Sequence, residues 1–366
     1  MNKLDNIRQA LTFDDVLIVP KHSSLFTRSE AKTEWKLGQF TFQCPVISAN
    51  MDTITGVDMA AEMAKAQGLG IIHRYMSTED YRSLSLGWSI RSDIGNTPLA
   101  LSVGALANDE ERIDAIINEQ LADIICVDIA HGDSLLMYET LQYIRDSGFT
   151  GPVVAGNVVT PEAVAFLLEA GATIVKVGVG PGSVCTTRVK TGCGYPQLQA
   201  IAECSQAGPI IADGGIKTPG DVAKALVAGA TAVMIGGMLA GTDKVPGWTQ
   251  AQLDTIRHLE TITDEGATLS RLESTGLRGV LKYRGMASND ARKAFGQEES
   301  NAEGISMTIA CRPEGSTRKV ITDIMEGVRS AMSYTGSYDL EEFRQRAEFV
   351  RVTASVQIEN NPHFKG

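Results

Sequence analysis

The apolar residues of this chain gather into short continuous runs, separated by stretches of helical period. Eight runs read as strands, over 45–50, 68–73, 99–104, 123–130, 152–157, 173–178, 209–215 and 232–238. Rich in Val, Ile, Ala and Leu and without polar alternation, they carry the pattern of parallel strands covered on both faces. Between them the spacing predicts helices over 57–66, 109–121, 134–147, 161–170, 197–207 and 219–228. Thr160-Pro161 and Thr218-Pro219 supply an N-cap followed by proline at the first helical position, and Gly171 and Gly229 supply C-terminal stops.

Eight such units with short connections predict an α/β fold, a closed (β/α)8 or TIM barrel, rather than a doubly wound sheet. The rhythm lapses over 239–317, which reads as an insertion and mobile flap within a single domain spanning 1–366. A last helix from about Val320 to Ser333 then supplies the eighth helix of the barrel. Residues 11–20 form an irregular cap or hairpin, and the tail from Phe349 packs on the barrel bottom or on a neighbouring subunit.

Composition narrows the functions. A formal charge of −11 argues against a general nucleic-acid or anionic-membrane surface, while leaving room for a local phosphate site. No apolar run approaches the ~20 residues of a membrane span and Met1 to Asp5 lack a signal-peptide core, so a soluble, cytoplasmic protein is expected. The six cysteines, at 44, 126, 185, 193, 204 and 311, have neither CxxC pairing nor zinc spacing, and most are expected to be packing residues.

In a barrel the C-terminal strand ends share one face, and polar residues and glycines collect at those ends here. The sixth end, Gly178-Val179-Gly180-Pro181-Gly182-Ser183-Val184-Cys185-Thr186-Thr187-Arg188, puts a thiol on a glycine loop with two hydroxyls behind it. That is a candidate nucleophile with candidate proton carriers, and inward-turned carbonyls of such a loop could hold a monovalent cation. Asp213-Gly214-Gly215 and Gly236-Gly237, at the seventh and eighth ends, suit the phosphate site common in barrels, with Ser183 as an added hydroxyl. Asp213 either caps a helix or holds two ribose hydroxyls. Asp128 closes the run Ile124-Ile125-Cys126-Val127, so its carboxylate lies at the open end or is paired. Arg74 offers a fixed positive charge or a surface ion pair, His131 reads as a loop residue, and Glu314 as an acid/base group or a solvated turn acid.

GPGSVCTTR with KTGCGYPQL at 190–198, ADGGI at 212–216, MIGGMLAG at 234–241, SANMDT at 48–53 and AGNVVT at 155–160 together resemble the inosine monophosphate dehydrogenase and guanosine monophosphate reductase superfamily. The resemblance implies a homotetrameric barrel binding a purine nucleotide beside a nicotinamide cofactor. Cys185 then matches the nucleophile that attacks purine C2. Asp213, Gly215, Gly236, Gly237 and Ser183 match ribose and phosphate positions, and Ser48, Met51, Asn157, Tyr283, Gly285 and Met286 match other nucleotide-pocket positions. Asp128 matches an acid near the nicotinamide, with Ala130 and Arg74 on the cofactor side. Gly180, Gly182 and Cys185 match a monovalent-cation loop, K+ being the expected ion.

Two branches remain. Only 25 residues separate His73 from Leu99, so the regulatory CBS modules usual in dehydrogenases are absent. TGCGYPQL resembles the reductase form with one substitution, the Arg-Tyr pair of the dehydrogenase flap is missing from 294–317, and Pro313-Glu314-Gly315-Ser316 aligns with the reductase EGKT segment. The tail FVRVT is also reductase-like. Against this, Arg74 replaces a lysine, His131 an asparagine and Cys193 a valine, and Tyr283-Arg284-Gly285-Met286 is nearer the dehydrogenase form. The expectation is reductive deamination of GMP to IMP and ammonia with NADPH, using Cys185, Thr186, Thr187 and Glu314. The alternatives are a dehydrogenase without CBS modules that oxidises IMP to XMP with NAD, and a nucleotide-binding barrel without catalysis.

Overall fold

Eight parallel strands close into a barrel in the computed structural model, which describes residues 4–5, 7–249, 252–254, 281–296, 298, 302–309 and 315–360. The barrel strands are β1 (Val46–Ser48), β2 (Leu69–Ile72), β3 (Ala100–Val103), β4 (Ile124–Asp128), β5 (Val153–Val158), β6 (Ile174–Val177), β7 (Ile210–Asp213) and β8 (Ala232–Ile235). Each lies beside its successor and β8 returns to β1, so the barrel sheet has no open edge. Every expected strand is present; seven end one to three residues before the expected last position, and β5 runs one residue past it. Ile47, Ile71, Leu101, Ile125, Val154, Val175, Ile211 and Val233 are all fully buried, as strands covered on both faces require.

The outer helices are α1 (Val57–Lys65), α2 (Thr78–Ser89), α3 (Leu106–Asn118), α4 (Leu135–Asp146), α5 (Pro161–Glu169), α6 (Gln197–Cys204), α7 (Pro219–Val227) and α8 (Thr317–Thr335). Thr160 caps α5 by accepting from the Ala163 N–H, and Thr218 caps α7 in a box closed by Asp221. Helix α8 starts three residues before the expected Val320, because the Ser316 hydroxyl caps it there. It packs against α7 and α1, completing the ring. Of these eight outer helices, the one that periodicity does not single out is α2: its segment Ser-Leu-Ser-Leu-Gly-Trp-Ser is poor in helix formers, and the Ser77–Asp80 capping box starts it.

The termini close the structure together. Val16–Ile18 pairs antiparallel with Phe349–Arg351, so the expected N-terminal cap and C-terminal tail are one two-stranded sheet. Between β8 and α8 the described residues include another antiparallel pair, β9 (Leu281–Arg284) and β10 (Ser306–Ile309), with a short helix Asn289–Ala294 between its strands. This pair stands over the C-terminal ends of the barrel strands.

Candidate functional site

The cysteine loop leaves β6 at Gly178, whose φ is +153°, and a Cβ there would sit 1.9 Å from the Asp213 carbonyl oxygen. Only glycine fits where these two backbones touch. Beyond it Cys185 is half-buried. Its Sγ donates to Thr187 Oγ1 at 3.2 Å, and Thr187 Oγ1 donates to Glu303 Oε2 at 2.8 Å. A thiol, a hydroxyl and a carboxylate thus form one hydrogen-bonded chain along which a proton can move.

Glu303 comes from the segment just before β10, and backbone contacts fix it. The Thr186 N–H donates to the Glu303 carbonyl at 2.8 Å and the Ile305 N–H to the Val184 carbonyl at 2.9 Å, with Gly304 bridged to Cys185. Glu314, the acid matched to Thr187 from sequence, lies outside the described residues. The chain carries Glu-Gly twice in this region, at 303–304 and 314–315, and sequence order alone does not say which one meets the threonine. Thr186 contributes its backbone; its hydroxyl is buried without a partner and does not line the cavity.

A cavity of about 820 Å3 opens above Cys185, within the range of a ligand site. On its β7–β8 side Ser183 Oγ lies 2.9 Å from the Tyr283 hydroxyl. Cβ atoms added at Gly236 and Gly237 would come 3.4 and 3.6 Å from that same hydroxyl, so the bare glycines leave a polar recess there. Asp213 Oδ2 accepts from Asn157 Nδ2 at 2.8 Å, and the same amide donates to the Gly178 carbonyl at 2.9 Å. Met51, Gly180, Gly182, Gly215, Gly285 and Met286 also line the cavity. Ser48 does not: β1 turns it into the core, where it is fully buried and accepts from Thr55 Oγ1 at 2.9 Å.

The other half of the cavity is lined by Arg74, Tyr75, Asp128, Ile129 and Ala130. Arg74 lies 5.0 Å from the Tyr75 ring centre, and its Nε is buried without a protein partner. Tyr75 stacks on Phe295 at 4.4 Å and donates to the Met286 carbonyl at 2.9 Å, tying β2 to the hairpin. His131 is exposed on its loop. Asp128 is both at the open end and paired, since it accepts from the buried ammonium of Lys176. Sequence reading passed over Lys176, Glu303 and Tyr75. Lys176 carried a signal all the same, as the single charge in the run Ile174-Val175-Lys176-Val177.

The remaining cysteines separate cleanly. Burial pushes the thiols of Cys44, Cys126 and Cys204 up to about 12, which suits packing residues. Cys193 is exposed, and Cys311 lies outside the described residues.

Residues 10–363 match the family model described as the IMP dehydrogenase / GMP reductase domain. A GMP reductase of Phytophthora infestans is 38% identical over 94% of this chain and 91% of its own length. One of Caenorhabditis elegans is 38% identical over 96% and 94%. The crystal structure of a cysteine-to-alanine variant of the GMP reductase from Trypanosoma brucei, in complex with guanosine 5'-monophosphate, superposes with a TM-score of 0.82 at 25% identity, covering all of both chains.

Proposed function

Because this chain belongs to the IMP dehydrogenase / GMP reductase family, we propose that it is a GMP reductase, converting GMP to IMP and ammonia at the expense of NADPH. The observation that carries the reading within the site is the chain Cys185–Thr187–Glu303. Cys185 gives up its proton through Thr187 to Glu303, and the thiolate forms a bond to purine C2. The stored proton passes back to the C2 amino group, and the C–N bond breaks with release of ammonia. Hydride addition at C2 would then break the C–S bond and leave IMP, and a proton taken up from solvent would restore the Cys185 thiol. Glu303 thereby takes the acid/base role that the sequence reading gave to Glu314.

The nucleotide half of the cavity supports a mononucleotide. Ser183, Tyr283, Gly236 and Gly237 form the phosphate recess, Asp213 and Gly215 take the ribose diol, and Met51, Asn157, Gly285 and Met286 frame the base. Ser48 then acts only from behind, through the core. The dinucleotide supplies the hydride when bound. The half lined by Asp128, Ala130 and Arg74 suits it, because the buried Arg74 Nε lacks a protein acceptor that a ligand oxygen would provide.

A K+ ion, if bound, would rest on the loop carbonyls of Gly180, Gly182 and Cys185, and no cluster of His, Cys, Asp and Glu suited to another metal occurs among the described residues. The Gly182 carbonyl already accepts from the Cys185 N–H at 3.1 Å. The homotetramer is proposed with the family membership. Among the described residues no helix is long and apolar enough to cross a membrane, and a cytoplasmic location is proposed with the metabolic role.

Assay in both directions tests the reading. GMP-dependent oxidation of NADPH with matching ammonia release is expected. Formation of XMP from IMP and NAD, without reductive turnover of GMP, would overturn it in favour of the dehydrogenase.

A further inference from the structure

Lys176 is the most deeply buried charge of the site. Its side chain is 1% exposed on β6; its ammonium donates to Asp128 Oδ1 on β4 and lies 3.6 Å from Asp213 Oδ2 on β7. The strand between makes room for the stem, since a Cβ at Gly156 of β5 would fall 2.6 Å from the Lys176 Cβ. Burying an ammonium this completely is sustained only by paired carboxylates, and here the two partners belong to opposite halves of the cavity.

We propose that Lys176 is a positioning residue that holds the ribose-side carboxylate of Asp213 and the cofactor-side carboxylate of Asp128 in one shared ionic network, coupling the two halves of the pocket. The proposal rests on the reading of Asp213 as the ribose acceptor. Nothing in the reaction itself needs a lysine at this point, as the proton chain runs through Thr187 on the cysteine loop and Glu303 just before β10.

The geometry is unequal, and the charges follow it. Burial opposes the charge on Asp128, but the ammonium in direct contact outweighs it and holds the carboxyl below its ordinary range. For Asp213 burial prevails over the more distant Lys176 and the Asn157 amide, and its carboxyl is pushed up, with Asp128 adding to the rise. The other groups acting on this network are Arg74 from the loop after β2, the Asn50 side chain from the loop after β1 and the Cys126 thiol from β4. A carboxylate can accept from both hydroxyls of a diol, whereas the protonated acid loses part of that capacity. As pH falls through a raised pKa the charged form of Asp213 is lost, so GMP binding should weaken on the acid side.

Two substitutions should move that acid limb in opposite directions. Lys176→Met removes the cation and shifts it to higher pH by ~1–3 units, the size of effect that one close opposite charge has on a carboxyl. Asp128→Asn removes a like charge and releases the ammonium to Asp213, shifting the limb to lower pH. Lys176→Arg keeps the charge and should return it to the wild-type position.

The experiment is calorimetric titration of the full chain with GMP alone across pH, for wild type, these three variants and Asp213→Asn. The nucleotide phosphate titrates alike in all of them, so only differences are read. If Asp213→Asn binds GMP as wild type does, the ribose assignment falls and this proposal with it. If it binds weakly while the other variants leave the limb unmoved, or move it the same way, the role of Lys176 is wrong and the ribose assignment stands. Should Lys176→Met not fold, the direction of the Asp128→Asn shift decides alone.

Discussion

Replacing Glu303 by glutamine tests the proton chain with the least disturbance to anything else. Glutamine keeps the length of the side chain and an amide oxygen to accept from Thr187 Oγ1, which the carboxylate now holds at 2.8 Å. The backbone contacts that fix residue 303, from Thr186 N–H and Ile305 N–H, do not involve the side chain. What is lost is the capacity to store and return a proton. Positioned acid/base groups contribute ~10²–10⁴ in rate, about 2.7–5.4 kcal/mol at ~1.36 kcal/mol per decade. Turnover of GMP should therefore fall by ~10²–10⁴ while GMP affinity is unchanged. The separating assay uses the 2-chloro analogue of the nucleotide, from which chloride leaves without needing a proton. NADPH oxidation with that substrate should suffer at least about tenfold less than with GMP, because only the share owed to thiol deprotonation is removed. Equal losses on both substrates, or undiminished GMP turnover, would refute delivery of a proton to the leaving amine by Glu303.

Thr187→Val cuts the same chain at its middle, so its loss of kcat should resemble that of Glu303→Gln, and the double variant should be little worse than either; additive losses in steady-state kinetics would show that the two act separately. Arg284 bonds Asp52 within a pair whose side chains are 11% and 6% exposed, anchoring β9 to the loop after β1. Arg284→Met leaves the Asp52 charge buried and should cost ~3–5 kcal/mol of local stability, read as faster proteolysis of the hairpin and lower kcat, with partial recovery in the Arg284→Met/Asp52→Asn double variant. Burial holds the imidazole of His73 below its ordinary range against the pull of Asp52. The unfolded chain therefore takes up a proton first as pH falls below about 6.5, and stability drops there. His73→Gln should flatten the slope of melting temperature against pH below that point, and an unchanged slope would exclude His73 as its source.

The fold was legible because its information is local. Each barrel strand is a short apolar run, each helix carries its own period, and caps such as Thr160-Pro161 and Thr218-Pro219 mark where one gives way to the next. The strand ends were legible for the same reason, since chain order dictates which loops share a face once the barrel closes. Contacts across long sequence separations were not. Glu303 reaches Thr187 across 116 positions of the chain, through an insertion with no regular pattern, and a second Glu-Gly pair competed for the assignment. Ser48 carried the right motif but the wrong orientation, which the strand's alternation settles only when its neighbours are known. Lys176 was hidden inside a strand assignment that treated the whole run as apolar.

The mixed characters of the flap become consistent once its contacts are traced. Tyr283-Arg284-Gly285-Met286 has a dehydrogenase-like spelling, and an arginine beside the reacting centre would be a natural candidate for activating water. Here the Arg284 guanidinium is committed elsewhere: Nε donates to Asp52 at 2.9 Å and Nη1 to the Asp290 carbonyl at 2.9 Å, and the side chain does not line the cavity. Its neighbour Tyr283 meets Ser183 at the recess, and the other end of the same hairpin brings Glu303 to Thr187. The hairpin is thus anchored at Asp52, at Ser183 and along the cysteine loop, and the group it delivers beside the thiol is a carboxylate able to return a proton to a departing amine. Dehydrogenase-like residues hold the hairpin in place, while the carboxylate it carries beside the thiol suits the ammonia release proposed above.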